Sequence, residues 1–215
     1  MPSLEMSKYI PFYFNKPIHP LFPGCNINFE HLQSNNRDFK ILYVGGIDNI
    51  FYNLKMSLTC IAKFKEFKMT ICCREDGWNN IRDEYLPIMN DNISILHEHD
   101  TMLANLFKEA DLFNIFVEPI KYREFAVPYK LFEAIGYGIS IIASNGTWVA
   151  NFVRNNNIGF TCDYNFNSLE NTLKQIIQSP LLLNRYRDNI RLLAKKYSWN
   201  MTAKRIVKTI NRICI

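Results

Sequence analysis

The sequence lacks the cysteine spacings and long apolar runs that mark zinc-binding or membrane-spanning proteins. Its six cysteines include no CxxC pair, although paired cysteines of this kind supply most structural zinc sites. Nowhere do about 18 apolar residues follow one another, and no basic segment followed by an apolar stretch opens the chain. We therefore expect no bound metal, no membrane span and no export signal.

An excess of charge of one sign is also missing. The 215 residues contain 25 Lys and Arg against 20 Asp and Glu, which leaves a net charge of +5 without the basic runs of a nucleic-acid-binding arm. A phosphate-bearing small molecule or an anionic membrane surface suits this balance better than nucleic acid. Cys60, Cys72 and Cys73 lie inside apolar runs, where free thiols behave as small hydrophobic groups. These observations favour the cytoplasm, including the inner face of its membrane.

Proline is frequent only at the start of the chain, where five of the nine prolines fall within residues 1–38. Because proline lacks the amide donor that helix interiors require, this stretch is interpreted as an irregular lead-in or inter-domain segment. Residues 39–215 then alternate between short apolar runs and longer amphipathic segments, as expected for one α/β domain. The alternation predicts a Rossmann-like, doubly wound parallel sheet of about six strands, followed by a helical tail.

The predicted elements have definite bounds. The strands are expected at Lys40–Val44, Met69–Cys73, Ile93–Leu96, Leu112–Val117, Ile139–Ala143 and Gly159–Thr161. The helices between them are expected at Asn53–Phe67, Trp78–Met89, Thr101–Ala110 (after a capping Asp100), Pro128–Gly136 and Thr147–Asn156. The tail is expected to form helices at Ser168–Ser179, Leu182–Tyr197 and from Asn200 onward, the last one anchored by a buried Trp199.

Ligands of open parallel sheets bind beyond the carboxyl ends of the strands, so the loops there are the first place to look for a site. Gly45-Gly46 follows the first predicted strand and fits either a phosphate contact or a plain tight turn. The turn 144–147 (SNGT) fits either an anion site or a helix cap by Asn145 or Thr147. The run 97–100 (HEHD) suggests a metal, but its spacing favours a polar loop.

The most informative stretch runs from Pro128 to Ser144 (PYKLFEAIGYGISIIAS). Pro128 begins a helix, and Lys130 and Glu133 lie three residues apart on one face of it near its amino terminus. An ammonium suits a diphosphate and a carboxylate suits the paired hydroxyls of a ribose, so the two match a sugar nucleotide. The alternative is a surface ion pair of small energetic value.

Several motifs in a fixed order make the chain resemble the carboxyl-terminal domain of group 1 glycosyltransferases, which have the GT-B fold. The resemblance covers about residues 20–210, and the motifs are ILYVGGI, EADLFNIFVEP, PYKLFEAIGYGISIIAS, NNNIGFTCDYN and YSWNMTAKRI. It implies that Glu133 binds the donor ribose and that Lys130 helps to hold the diphosphate. It also implies transfer of a sugar from a nucleoside-diphosphate donor to a glycan or lipid-linked acceptor, without a cofactor or a metal.

The sequence departs from the family pattern at two points. Phe125 stands where the family's first Glu contacts the donor sugar, which leaves Glu124 as the candidate for that role. The basic residues that usually follow the first strand are absent from GGIDNIFYNLK, which leaves Arg74 in the next loop, or Lys55, as a substitute. The predicted donor-binding residues are therefore Gly45, Gly46, Arg74, Glu124, Lys130 and Glu133.

A complete GT-B enzyme has two such domains, and this chain is expected to hold one. Its partner would then be an amino-terminal acceptor domain or a separate chain. Two alternatives are a binding or scaffold domain of the same fold without catalysis, and a sugar-nucleotide epimerase. The missing Glu and the single-domain length motivate the first, whereas the second would need an acid and a base that the sequence does not supply.

Overall fold

A computed structural model describes residues 3–9, 19–30 and 38–213. Six parallel strands form one sheet in the order β3-β2-β1-β4-β5-β6. The strands are β1 (Phe39–Val44), β2 (Phe67–Cys72), β3 (Ile93–Leu96), β4 (Leu112–Ile115), β5 (Ser140–Ser144) and β6 (Gly159–Cys162). This confirms the predicted Rossmann-like sheet and its six strands.

Helices cover both faces of the sheet and continue beyond its last strand. They are α1 (Lys55–Ile61), α2 (Glu75–Asn79), α3 (Arg82–Tyr85), α4 (Asp100–Glu109), α5 (Tyr129–Tyr137), α6 (Trp148–Asn156), α7 (Phe166–Gln178), α8 (Leu181–Lys196) and α9 (Trp199–Ile213). Short 3-10 helices occupy Glu5–Tyr9, Leu86–Ile88 and Lys121–Glu124. The predicted helical tail is present as α7, α8 and α9.

The core consists of two apolar layers, one on each face of the sheet. Successive residues of a strand point to opposite faces, so Leu42 joins one layer while Ile41 and Tyr43 join the other. The first layer packs beneath α5, α6 and α8, and the second beneath α1 and α7. Both faces of every central strand are therefore buried, which explains why the sequences of these strands are continuous apolar runs.

Two predicted helices are shorter than expected. The segment predicted at Asn53–Phe67 forms only α1, because Phe67 is fully buried as the first residue of β2. The ring centroid of Phe67 lies 5.4 Å from that of Phe39, with the two rings tilted. The segment predicted at Trp78–Met89 divides into three short helices. Pro87, a poor helix former, lies in this segment, and Tyr85 fills the core from its centre.

Three local predictions are also wrong. β4 ends at Ile115 rather than Val117, because the amide of Phe116 donates to Oδ1 of Asn114 at 3.3 Å instead of continuing the ladder. Asp100 does not cap α4, since it is the first helical residue, with φ +49°. Trp199 is 44% exposed rather than buried, although its ring packs against Gly24.

The described part of the lead-in packs onto the domain at its carboxyl-terminal end. The amide of Cys25 donates to the carbonyl of Tyr197 at 2.8 Å, and the amide of Trp199 donates to the carbonyl of Cys25 at 3.2 Å. Phe22 lies within an aromatic cluster that includes Phe132 and Tyr197. The remaining prolines at positions 2, 11 and 17, and Cys214, lie outside the described residues.

Candidate functional site

A cavity of about 330 Å³ opens at the carboxyl edge of the sheet, between β1 and β4. These strands adjoin in the sheet although two others separate them in sequence, so the direction in which strands are added reverses there. Such a switch point leaves a crevice, because the loops after the two strands diverge to opposite faces. The cavity is lined by Gly45 and Gly46 after β1 and by residues 126–130 before and within α5.

The Gly45-Gly46 turn is held by hydrogen bonds of the protein itself. The amide of Gly45 donates to the carbonyl of Cys72 at 3.1 Å, and the hydroxyl of Tyr43 donates to the carbonyl of Gly46 at 2.6 Å. A Cβ at position 46 would lie 2.9 Å from the ring of Tyr52. The turn therefore has a structural reason for its glycines, and it also brings bare backbone to the cavity wall.

Asp48 organises the loop that follows this turn. Its Oδ1 accepts from the amides of Ile50 at 2.8 Å, Phe51 at 2.5 Å and Tyr52 at 2.9 Å. Burial opposes ionisation of this carboxyl, but the three amides outweigh it and hold its pKa below the ordinary value. The loop is thereby fixed with Tyr52 facing the cavity.

Lys130 and Glu133 lie together where α5 begins. Lys130 lines the cavity and its Nζ lies 2.5 Å from Oε2 of Glu133, outside hydrogen-bonding geometry. Pro128 precedes the helix without supplying a side-chain cap, so the first amides of α5 are not capped by it. The two side chains form an ion pair, in which Lys130 lines the cavity and Glu133 lies about one helical turn farther along α5.

Arg74 and Glu124 do not line the first cavity. Arg74 precedes α2 and lines a second cavity of about 770 Å³, which shares Gly45 and Gly46 with the first. Glu124 is exposed, lines neither cavity, and accepts a long hydrogen bond of 3.4 Å from the hydroxyl of Tyr9. The structure thus brings Gly45, Gly46, Lys130 and Arg74 to adjoining cavities, whereas Glu124 and Glu133 line neither of them.

Aromatic residues and one arginine complete the first cavity, and sequence reasoning did not single them out. Burial raises the pKa of Tyr43 above its ordinary value, so its hydroxyl stays protonated. The guanidinium of Arg123 donates to the carbonyls of Glu118 and Phe51 and so joins the loops after β4 and β1. The unassigned lining side chains are Tyr43, Tyr52, Tyr122, Arg123 and Tyr129. The one available signal was the position of these tyrosines beside the strand-end loops.

The loops after β5 and β3 contain two further stretches that the sequence singled out. Thr147 caps α6, because its Oγ1 accepts from the amide of Ala150 at 3.1 Å, while Asn145 binds Asp163 instead. The ring of His97 contacts the carbonyl of Cys73 at 2.9 Å. Within residues 3–9, 19–30 and 38–213, no three His, Cys, Asp or Glu side chains are grouped so as to hold a metal ion.

Lys55, the alternative to Arg74 as a donor-binding cation, forms contacts outside the two cavities. Its ammonium pairs with Glu84 and lies over the ring of Tyr85 at 5.5 Å from the centroid. It therefore belongs to the contact between α1 and α3, and it lines neither cavity.

Among the described helices, none is long and apolar enough to cross a membrane.

Comparison with solved structures reveals a common fold. Sucrose-phosphate synthase from Thermosynechococcus elongatus aligns over 91% of this chain with a TM-score of 0.69 and 16% identity. HepE (Alr3699) from Anabaena, solved in complex with UDP, aligns over 90% with a TM-score of 0.73 and 11% identity. A glycosyltransferase from Rickettsia africae aligns over 91% with a TM-score of 0.73 and 13% identity.

The fold is that of one half of a GT-B glycosyltransferase. This GT-B domain matches 52%, 57% and 57% of the three solved chains, so it spans about half of their length. At these identities the likeness establishes the fold and confirms the resemblance seen in the motifs. No protein-family model matches the sequence, and no curated protein is significantly similar to it.

Proposed function

We propose that this domain binds a nucleoside-diphosphate sugar at the carboxyl edge of its sheet. The observation that carries the proposal is the convergence of Gly45-Gly46, the amino terminus of α5 and Lys130 on one cavity at the switch point. Helix amides and an ammonium are the donors that a diphosphate requires. A volume of about 330 Å³ lies at the lower end of the range for small-molecule pockets.

Ligand binding would exchange one electrostatic partner for another. In the free protein the ammonium of Lys130 neutralises Glu133, whose Oε2 is buried and makes no hydrogen bond. A diphosphate entering beside the start of α5 draws the ammonium toward itself, and the hydroxyls of a ribose then donate to the released carboxylate. The hydrogen bonds from the ribose then compensate the carboxylate for the loss of its ammonium partner.

The helix geometry also indicates how the leaving group is stabilised. The amino terminus of α5 carries the positive end of the helix dipole, and it acts together with Lys130 on the negative charge that develops on the departing diphosphate. Arg74 adds a second cation from the adjoining cavity. This arrangement requires no metal for that role.

Sugar transfer requires an acceptor, and we assign its site to an amino-terminal domain or a partner chain. The solved GT-B structures are about twice as long as the matched region, which supports a second half of this kind. HepE was solved with UDP-glucose, and we propose the same class of donor here. A cytoplasmic setting fits five described cysteines that are all free and buried: Cys25, Cys60, Cys72, Cys73 and Cys162.

A second candidate is a binding domain without catalysis. The position of Glu124 favours it, because its exposed carboxylate lies outside both cavities, while Phe125 packs against Tyr9 at 4.4 Å between ring centroids. No carboxylate from this loop then reaches a donor sugar in the first cavity. Such a domain would still bind a nucleoside diphosphate but would transfer no sugar in any two-domain assembly.

Calorimetry tests donor binding directly. The chain is titrated with UDP, GDP and ADP and with the corresponding nucleosides, and we expect at least one diphosphate to bind more tightly than its nucleoside. Absence of binding of all three diphosphates at millimolar concentration would reject the proposal. Where binding is found, transfer of labelled sugar in the presence of the second half separates the transferase from the binding domain.

A further inference from the structure

Arg123 places a second cation in the first cavity, in addition to Lys130. Its side chain lines the cavity wall that also includes Gly45 and Gly46. Arg123 belongs to the 3-10 helix Lys121–Glu124, in the loop between β4 and α5, whereas Lys130 lies in the first turn of α5. Two different segments therefore bring positive charge to the same cavity.

The charge of this wall is not balanced by acidic side chains. Among the described residues that line the first cavity, Arg123 and Lys130 are charged and none is Asp or Glu. Lys130 is paired with Glu133, which lines neither cavity. No ion pair between described residues involves Arg123. An anion that enters the cavity therefore meets a guanidinium that is not paired with a carboxylate.

Main-chain carbonyls hold the guanidinium of Arg123 at the cavity wall. It donates to the carbonyl of Glu118 in its own loop and to the carbonyl of Phe51 in the loop after β1. Both acceptors are neutral, so the guanidinium keeps its charge. A guanidinium has five N–H donors and these bonds use two of them, which leaves three for a ligand. Because the side chain is already fixed in place, little ordering is required when a ligand binds.

Asp48 is an acidic residue close enough to Arg123 to interact with it. Burial opposes ionisation of Asp48, the amides of residues 50–52 favour it, and the charge of Arg123 favours it further, so the pKa stays below its ordinary value. The carboxylate is engaged with these three amides, and among the described residues it forms no ion pair with Arg123. Asp48 therefore attracts the guanidinium without occupying its donors.

We propose that Arg123 binds the diphosphate of the donor in the first cavity, together with Lys130. This inference rests on the proposed function and adds a residue to its site. The stretch GGIDNIFYNLK after β1 supplies no cation to the cavity, so the loop after β4 supplies one instead. A guanidinium binds two phosphate oxygens through parallel hydrogen bonds, whereas an ammonium acts as a point charge. Arg123 thus orients the diphosphate, and Lys130 neutralises it.

A carboxylate on an acidic donor sugar would offer the guanidinium the same chemistry as a phosphate. The first cavity also contains the bare backbone of Gly45-Gly46 and the start of α5, both of which suit a phosphate group. These neighbours favour the diphosphate as the anion that Arg123 binds. Inorganic pyrophosphate separates the two sources, because it contains the phosphates without a sugar or a base.

Calorimetry with inorganic pyrophosphate, UDP, GDP and ADP, and with the three nucleosides, tests the proposal. We expect Arg123→Gln to lower the affinity for pyrophosphate, and for each nucleoside diphosphate that the wild type binds, about 10- to 100-fold, as for hydrogen bonds to a charged group. Nucleoside affinity should stay unchanged. Arg123→Lys keeps the charge without the planar fork and should lose less. The matched control is Arg185→Gln, at an exposed position of α8 that lines neither cavity, and it should leave every affinity unchanged.

Salt dependence separates ligand contact from a structural role. Arg123→Gln also removes the link between Glu118 and Phe51, so thermal unfolding is measured for every variant. Added NaCl should weaken diphosphate binding less steeply in Arg123→Gln than in the wild type, because one cation fewer is screened. Equal losses for nucleoside and diphosphate, with an unchanged salt dependence, would show a structural link and overturn the proposal. Should Arg123→Gln not fold, Arg123→Lys provides the comparison, since its loss should likewise be confined to the diphosphates.

The outcomes also distinguish this inference from the proposed function. If the wild type binds a nucleoside diphosphate, and Arg123→Gln binds that ligand and pyrophosphate equally tightly, the inference is wrong and the proposed function stands. If the wild type binds none of the three nucleoside diphosphates, the proposed function is wrong and pyrophosphate alone tests Arg123. In that case, either an unchanged pyrophosphate affinity in Arg123→Gln or no pyrophosphate binding by the wild type would overturn the inference as well.

Discussion

The ammonium nitrogen of Lys130 lies 2.5 Å from Oε2 of Glu133, one turn into the helix whose amino terminus faces the cavity between β1 and β4. A cation at that end of a helix is opposed by the helix dipole, so Glu133 compensates for a position that is otherwise unfavourable. Both side chains remain partly accessible. The pair can therefore open without unfolding the domain.

Replacing Lys130 with alanine should selectively weaken the binding of the diphosphate group. We expect Lys130→Ala to remove most of the advantage of a nucleoside diphosphate over its nucleoside, while the weak affinity for the nucleoside is retained. Added salt should reduce the same advantage in the wild type, because it screens the ammonium. Calorimetry with both ligands measures the two effects, and Lys65→Ala, an exposed lysine elsewhere, is the control. Equal losses for both ligands would instead indicate a structural role.

Neutralising Glu133 should weaken recognition of the ribose. Glu133→Gln keeps the shape of the side chain but removes the charge that accepts from the hydroxyls, so we expect affinity for the nucleoside diphosphate to fall by about 1.5–3 kcal/mol. The corresponding 2′-deoxynucleotide should lose less, since it offers one hydroxyl fewer. Glu109→Gln, at an exposed pair with Lys40, serves as control. Unchanged affinity in Glu133→Gln would reduce Glu133 to an ion-pair partner.

Asp48 should make the loop 48–52 sensitive to acid. Its pKa is lower in the folded protein than its ordinary value near 3.9. Its stabilising effect is therefore fully present above the unfolded pKa and is lost as the pH falls through the lower folded pKa. We expect Asp48→Asn to cost about 1 kcal/mol at neutral pH, a modest value because the site is partly exposed. The cost should shrink toward acidic pH in urea unfolding, and a pH-independent cost would contradict this assignment.

Gly136 should tolerate no side chain. A Cβ there would lie 2.2 Å from the carbonyl oxygen of Asn26, so Gly136→Ala must push the segment 19–30 away from α5. We expect a loss of about 1–3 kcal/mol in the free energy of unfolding, as for other overpacked sites. Gly77→Ala is the control, because the nearest atom to its Cβ would be 3.8 Å away. Equal midpoints of thermal denaturation for the two variants would show that the segment is not docked as described.

The elements that sequence predicted well are those whose pattern is local. β3 was placed at its observed bounds, and α5 and α6 within one residue at each end, because their apolar periodicity and the turn residues around them agree. The segment after β2 was misjudged as one helix, since Tyr85 is held by a core that no local pattern reveals. For the same reason the sequence assigned Phe67 to a helix, whereas it is the first residue of β2.

The candidate site was predictable only in part. Lys130 and Glu133 are three residues apart, so their contact follows from helix geometry. Arg123 reaches the carbonyl of Phe51, 72 positions away in sequence, and Tyr43 and Tyr122 line the same cavity from different strands and loops. Such long-range contacts depend on the order of the strands in the sheet, which the sequence alone did not determine. The roles proposed for Gly45, Gly46, Arg74 and Glu124 remain predictions.

Two main-chain hydrogen bonds connect Cys25 to Tyr197 and Trp199, which are far from it in the chain. Because both bonds join main-chain atoms, residue 25 holds the end of α8 next to the start of α9. Slow hydrogen exchange of the Cys25 and Trp199 amides would show that this contact is stable. The measurement does not depend on ligand binding at the cavity.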